Sequence, residues 1–150
     1  MTRLLTSLAL IACIGLANAD DKPKSAPKAT FDAARMIGDW TYVSGEKSGE
    51  KLPKDRLQGT VKITKDKLTI PSGTDKPFIM AYKLDTKNNP VTIDMEIKDG
   101  PIAEGKAKGI VAVDGDTLKI AYHPTGGARP TKFESTKEND AFFFVLKRAK

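Results

Sequence analysis

An all-β fold, an antiparallel meander barrel of eight or nine short strands behind a short N-terminal helix, follows from three features of the chain. Apolar and polar residues alternate over one short run after another, the period-two mark of strands with one buried face. Turn residues such as Asp99-Gly100-Pro101, Asp114-Gly115-Asp116 and Gly126-Gly127 separate these runs at regular spacing. The sole tryptophan, in Gly38-Asp39-Trp40, opens the first run, and Lys147-Arg148 closes the last. An indole at one end of the domain and a guanidinium at the other fit a sheet whose first and last strands meet, Arg148 lying over the Trp40 face. Closure into a barrel is preferred to a sandwich because it removes free sheet edges.

The first segment reads as an export signal. Met1-Thr2-Arg3 is a short positive start, Leu4 to Leu16 is apolar apart from Thr6 and Ser7, and Ala17-Asn18-Ala19 has the small-x-small cleavage pattern. The apolar stretch is shorter than the ~20 residues a membrane-spanning helix needs. Residues 1–19 are therefore expected to be a signal peptide cleaved after Ala19, sending the protein to the periplasm or the exterior. Leu10-Ile11-Ala12-Cys13 also matches a bacterial lipobox, so lipidation at Cys13 is the alternative. With ordinary cleavage no cysteine remains, and the core must hold the fold without disulfides. Residues 20–29, with Pro23, Pro27, Lys22, Lys24 and Lys28, have too little apolar content to pack and form a disordered basic tether. The β-domain is residues 30–150.

Within that domain Thr30 can cap a short helix from Phe31 to about Met36, with Asp32 in its first turn and Gly38 after its end. Trp40, Tyr42 and Ser44 then alternate with Thr41, Val43 and Gly45. Val61 and Ile63 flank Lys62, and Leu68 and Ile70 follow a Lys65-Asp66 turn. Phe78, Met80, Tyr82 and Leu84 share a face of the next run. Val91, Ile93, Met95 and Ile97 alternate with Thr92, Asp94, Glu96 and Lys98, while Ile110 to Val113 is apolar on both faces. Asp114-Gly115 is a hairpin signal before Leu118, Ile120 and Tyr122. A short run, Lys132 to Ser135, precedes a last strand from Ala141 to Arg148. There Phe142, Phe144, Leu146 and Arg148 share one face, the parity Arg148 needs to reach an inward Trp40.

These residues resemble a lipocalin-like pattern: a short helix, Gly-x-Trp opening the first strand, and a basic residue closing the last. The resemblance is sharper to an uncharacterised lipocalin-like domain family expanded in planctomycete bacteria. It is carried by Ile37-Gly38-Asp39-Trp40, Asn89-Pro90-Val91-Thr92-Ile93-Asp94, Gly109-Ile110, and Asp114-Gly115-Asp116-Thr117-Leu118-Lys119-Ile120. Arg129-Pro130-Thr131-Lys132-Phe133 and Leu146-Lys147-Arg148 complete the set. Together these segments span about residues 31–148. Val111 departs from the pattern, which tends to an aromatic there. The resemblance implies the barrel, with Gly38, Trp40 and Arg148 as its structural closure, and brings no catalytic residues.

The formal charge is +6, from 25 Lys and Arg against 19 Asp and Glu. Lysines are scattered and interleaved with acids, without a basic stripe or an aromatic-rich basic motif, which argues against nucleic-acid binding. Catalysis is poorly supplied. His123 is the sole histidine and precedes Pro124 at a strand end, where a loop imidazole is a better reading than a base; no Gly-x-Ser-x-Gly elbow accompanies it. Zinc prefers Cys and His, and Asp114-Gly115-Asp116 lacks the remainder of a calcium loop, so these acids read as turn residues. Asp94 and Glu96 share a polar face with Thr92 and Lys98, a solvated pattern, although paired carboxylates for glycoside hydrolysis remain a matter of spatial spacing. No catalytic residue, metal or cofactor is expected.

Arg129, in Gly126-Gly127-Ala128-Arg129-Pro130, has two readings. It can grip a carboxylate or phosphate at a barrel mouth, or it can fix its loop through a salt bridge to Asp94 or Asp116. Trp40, Phe78, Met80, Tyr82, Ile93, Met95, Leu118, Tyr122 and Phe144 are the candidate interior; barrels of about eight strands either fill with side chains or hold one small molecule. The expectation is an exported, non-catalytic, monomeric binding protein taking a small apolar or amphipathic ligand. Met80, Met95 and Phe144 would line its site, and Tyr82, Tyr122 and Arg129 would orient a polar end. The alternative is a structural or protein-interaction module of the cell envelope with a filled core.

Overall fold

The computed structural model describes residues 30–102 and 104–150; the expected signal peptide and tether lie outside the described residues. A 3-10 helix, Ala33–Met36, precedes nine strands: β1 (Gly38–Lys47), β2 (Glu50–Lys51), β3 (Thr60–Ile63), β4 (Lys67–Ile70), β5 (Phe78–Asp85), β6 (Val91–Asp99), β7 (Lys106–Asp114), β8 (Thr117–His123) and β9 (Phe142–Arg148). β1 and β3 to β9 each pair antiparallel with the next, and β9 returns to β1. Eight strands thus close an antiparallel barrel, and β2 folds back on β1 as a ninth. The closing seam sets Trp40 opposite Arg148 and Tyr42 opposite Leu146, with a bulge between Tyr42 and Ser44.

Alternation explains the core. Trp40, Val61, Ile63, Leu68, Met80, Ile93, Met95, Val111, Leu118, Ile120 and Leu146 are all buried and form one cluster. Outward positions carry charge in register: Lys83 faces Asp94 and Asp94 faces Lys108, while Glu96 faces Lys106. Such cross-strand opposite charges favour this register by a few tenths of a kcal/mol each, about 0.2–1.

The two-faced apolar run at Ile110 to Val113 has a structural cause. Ile110 and Ala121, directly opposite each other and buried, lie outside the interior cluster. The long connection from β8 to β9 crosses the outer wall here, packing Phe133 against Phe143 with ring centroids 6.4 Å apart. It also corrects one expectation: Lys132 to Ser135 is not a strand but part of this connection. Its backbone partners come from side chains instead of a ladder. Ser135 Oγ donates to Ala141 O at 2.7 Å and accepts from Gly49 N at 3.1 Å. Asn139 Oδ1 accepts from Thr136 N and Ala141 N.

The N-terminal helix is also shorter and capped differently from expectation. It is a single 3-10 turn, and Asp32, not Thr30, accepts the Ala34 N–H at 2.9 Å. Between β1 and β3 lies a second 3-10 helix, Lys54–Leu57. The registers sort the connections into two ends. The Gly38 end carries the N-terminal helix and the turns after β3, β5 and β7; the Lys47 end carries the four longer connections.

Candidate functional site

The Gly38 end is sealed. Trp40 is fully buried, and its Nε1 donates to Met36 O at 2.9 Å, tying the 3-10 turn beneath the barrel. The Arg148 guanidinium carbon lies 4.3 Å from the Trp40 ring centroid. Its Nη1 donates to Ile37 O at 3.1 Å and its Nη2 to Arg35 O at 2.6 Å, while Asp116 stands 3.7 Å from Nε. Gly38 adopts φ +137°, and a Cβ there would fall 2.7 Å from Arg148 Nη1, so only glycine leaves the arginine its place. The Trp40 indole nitrogen and both terminal nitrogens of Arg148 are thus engaged by the backbone.

Tyr82 belongs to the same end. Its hydroxyl donates to Thr64 O at 2.6 Å, fastening β5 to the β3–β4 turn. Its phenol is pushed up, first by burial and then by the Asp66 charge. Tyr82, expected to orient the polar end of a ligand, thus has its hydroxyl engaged by the backbone of the β3–β4 turn.

Arg129 is likewise relocated. It lies on the outer wall, where Nη2 meets Asp94 Oδ1 at 2.6 Å and Nη1 donates to Ile93 O at 3.0 Å and Gly109 O at 2.8 Å. Arg129 thus makes the salt bridge to Asp94, one of the two partners expected of it, on the outer wall. A surface crevice of about 410 Å³ beside it is lined by His123, Lys132, Glu134 and Asn139 among others. Within it Lys132 reaches Glu134 at 3.9 Å, and His123 Nδ1 accepts from Gly127 N at 3.3 Å in the adjoining turn. His123 thus steadies the turn after β8. Glu96 pairs with Lys98 at 3.0 Å, and that hydrogen bond and charge hold its carboxyl below the usual range.

Inside the barrel, free space lies between β3–β4 and β8–β9. It is lined by Tyr42, Val61, Ile63, Leu68, Ile70, Leu118, Ile120, Tyr122, Phe144 and Leu146. Counted out to open solvent it amounts to about 320 Å³, of which only about 20 Å³ admits a water-sized molecule. That is room for one water, which needs about 10–15 Å³ on this measure. Of the expected lining residues, Tyr122 and Phe144 are here. Met80 and Met95 are not: they are buried in the core on β5 and β6, away from this space.

Four rings crowd the approach from the Lys47 end. Tyr42 and Phe144 have centroids 5.4 Å apart, Tyr122 and Phe142 5.5 Å, and Phe142 and Phe144 5.8 Å. Lys47 Nζ lies 5.0 Å from the Phe142 centroid, at the rim. The β1–β3 connection reaches over this end: a Cβ on Gly45 would meet Leu57 Cδ2 at 2.7 Å and the Phe144 ring at 2.8 Å. Glycine at 45 is what lets Leu57 and Phe144 close on the β1 backbone.

Burial pushes the Tyr42 phenol up to about 12. The Tyr122 phenol is raised further, by burial and then by Tyr42. Both remain neutral hydrogen-bond donors across the physiological range. Tyr42 was legible from its parity with Trp40; Leu57 sits in a segment with no periodic signal. No family model, curated protein or solved structure matches the chain.

Proposed function

We propose that this is an exported, non-catalytic, lipocalin-like binding protein that receives a small, partly apolar ligand through the Lys47 end of its barrel. The observation that carries the proposal is the contrast between a plugged end and one where the rings of Tyr42, Tyr122 and Phe144 border an apolar free space. Pockets for small molecules are mostly apolar, and this lining is apolar too. A ligand needs the lining side chains to move apart, since the space of about 20 Å³ holds no more than a water as it stands.

That small volume favours a second reading, a filled barrel serving as an interaction module of the cell envelope. Native mass spectrometry of the protein purified from its own cells separates the two. A small molecule released on unfolding supports the binder. A ligand-free chain that co-purifies with another envelope protein supports the module and rejects the binder.

A further inference from the structure

We propose that Asp99-Gly100, where β6 ends, is a site of spontaneous backbone modification to an isoaspartyl linkage, and that Lys76 is the group that restrains it. Gly100 N donates to Asp99 Oδ1 at 2.9 Å, so the side chain is folded onto the amide that follows it. This brings the amide nitrogen up to the carboxyl carbon that carries the oxygen, and held proximity is what turns neighbouring groups into reactants. Glycine adds no Cβ to hinder the approach. Asp99, opposite Ile79, is also the last residue of β6, and β7 resumes only at Lys106.

The sequence has a second Asp-Gly pair, Asp114-Gly115, and the fold treats it differently. Asp114 faces Thr117 across a two-residue turn, so its backbone is held in the β7–β8 ladder. No hydrogen bond among the described residues joins its carboxylate to the Gly115 amide, as one does at Asp99. Both aspartates are exposed, so geometry separates them and access to water does not.

In the reaction the Gly100 nitrogen bonds to Asp99 Cγ, and the amide proton and the carboxyl hydroxyl leave together as one water. The product is a five-membered succinimide ring. Water then reopens it. Attack at Cγ restores the aspartate; attack at the main-chain carbonyl carbon leaves the Gly100 nitrogen on Cγ, a chain longer by one methylene with its free carboxylate on Cα. An ionised carboxylate has no hydroxyl to lose, and here Lys76 intervenes. Its Nζ lies 2.5 Å from the same Oδ1. Lys76 first, and then the Gly100 N–H, hold the carboxyl below its ordinary range, which keeps it ionised and the ring open. Lys76 belongs to the β4–β5 connection, so the isoaspartyl form also moves the carboxylate away from the group that ties this connection to the end of β6.

The test is peptide mass spectrometry of the full chain aged in heavy-oxygen water at mildly acidic pH, where each ring that reopens takes up one labelled oxygen. Isoaspartyl peptides are resolved from aspartyl ones by their separate elution. In the folded chain label should enter Asp99 several-fold faster than Asp114, and in guanidinium chloride the two should react alike. Equal labelling in the folded chain, faster labelling at Asp114, or none at either overturns the site. Lys76→Met removes the charge and keeps an unbranched side chain. It should speed entry at Asp99 several-fold and leave Asp114 unchanged. High salt, which screens an exposed ion pair, should act in the same direction on the unaltered chain. A rate at Asp99 that neither the variant nor salt alters overturns the restraint by Lys76.

Discussion

At the Gly38 end of the barrel, Trp40, Tyr82 and Arg148 each give their polar hydrogens to a backbone carbonyl. At the Lys47 end, Tyr42 and Tyr122 give theirs to no protein group among the described residues, and four rings sit beside free space. The same residue types thus do different work. Where the chain enters and leaves the barrel, aromatic surface and hydrogen bonds are used together to bind the termini of the sheet. Where four long connections meet, aromatic rings pack on one another and on the aliphatic core, and Lys47 lies over Phe142 at the rim.

That contrast makes an ordered set of expectations. Trp40→Ala empties the plug and should cost about 3–5 kcal/mol in urea denaturation, the usual loss for a large buried ring; a near-neutral effect would break the contrast at its strong end. Arg148→Ala strips charged hydrogen bonds from the Arg35 and Ile37 carbonyls, each worth about 1.5–3 kcal/mol, and should cost about 2–3 kcal/mol overall. Arg148→Lys should recover only part of this, because an ammonium cannot span both carbonyls.

Base sharpens the other end. The Tyr42 phenol ionises near pH 10 in the unfolded chain and near 12 in the fold. Between those values the folded state holds more protons, so stability falls as pH rises from about 10 toward 12 and is fully present below that window. Tyr42→Phe should flatten the fall in a pH series of denaturation curves. Leu57→Ala, on a half-buried side chain of the loop, should cost under about 1 kcal/mol. It should nonetheless speed amide exchange through residues 48–59, leaving the Gly38 end unchanged. Smallest of all, Asp94→Asn at the Arg129 pair should shift stability by less than about 1 kcal/mol, since the carboxylate is mostly exposed.

The strand runs were readable because alternation is a local property, and seven of the β segments announce themselves through it, from Trp40-Thr41-Tyr42 to Phe142 through Arg148. Lys132 to Ser135 was misread for the same reason: Phe133 has an apolar place to go, but it is the outer wall, and Ser135 and Asn139 satisfy the backbone instead. β2 and the 3-10 turn at Lys54–Leu57 have no period to detect. Of the site, Tyr122 and Phe144 were visible as inward positions, whereas parity could not separate them from Tyr82, Met80 and Met95. Every one of these side chains points inward; they differ in depth along the barrel axis.

What the amino-acid order determined unaided is which side of each strand meets water, where the chain turns, and that its basic end can return to its tryptophan. Those follow from side-chain period, glycine's dihedral freedom and parity, all of them nearest-neighbour matters. Tertiary structure alone decided that Tyr82 finds a carbonyl while Tyr42 and Tyr122 do not, and that Arg129 stays outside on Asp94. Such outcomes depend on strand stagger and on which connection lies over which end, set here by residues 18 and 35 positions apart in the chain.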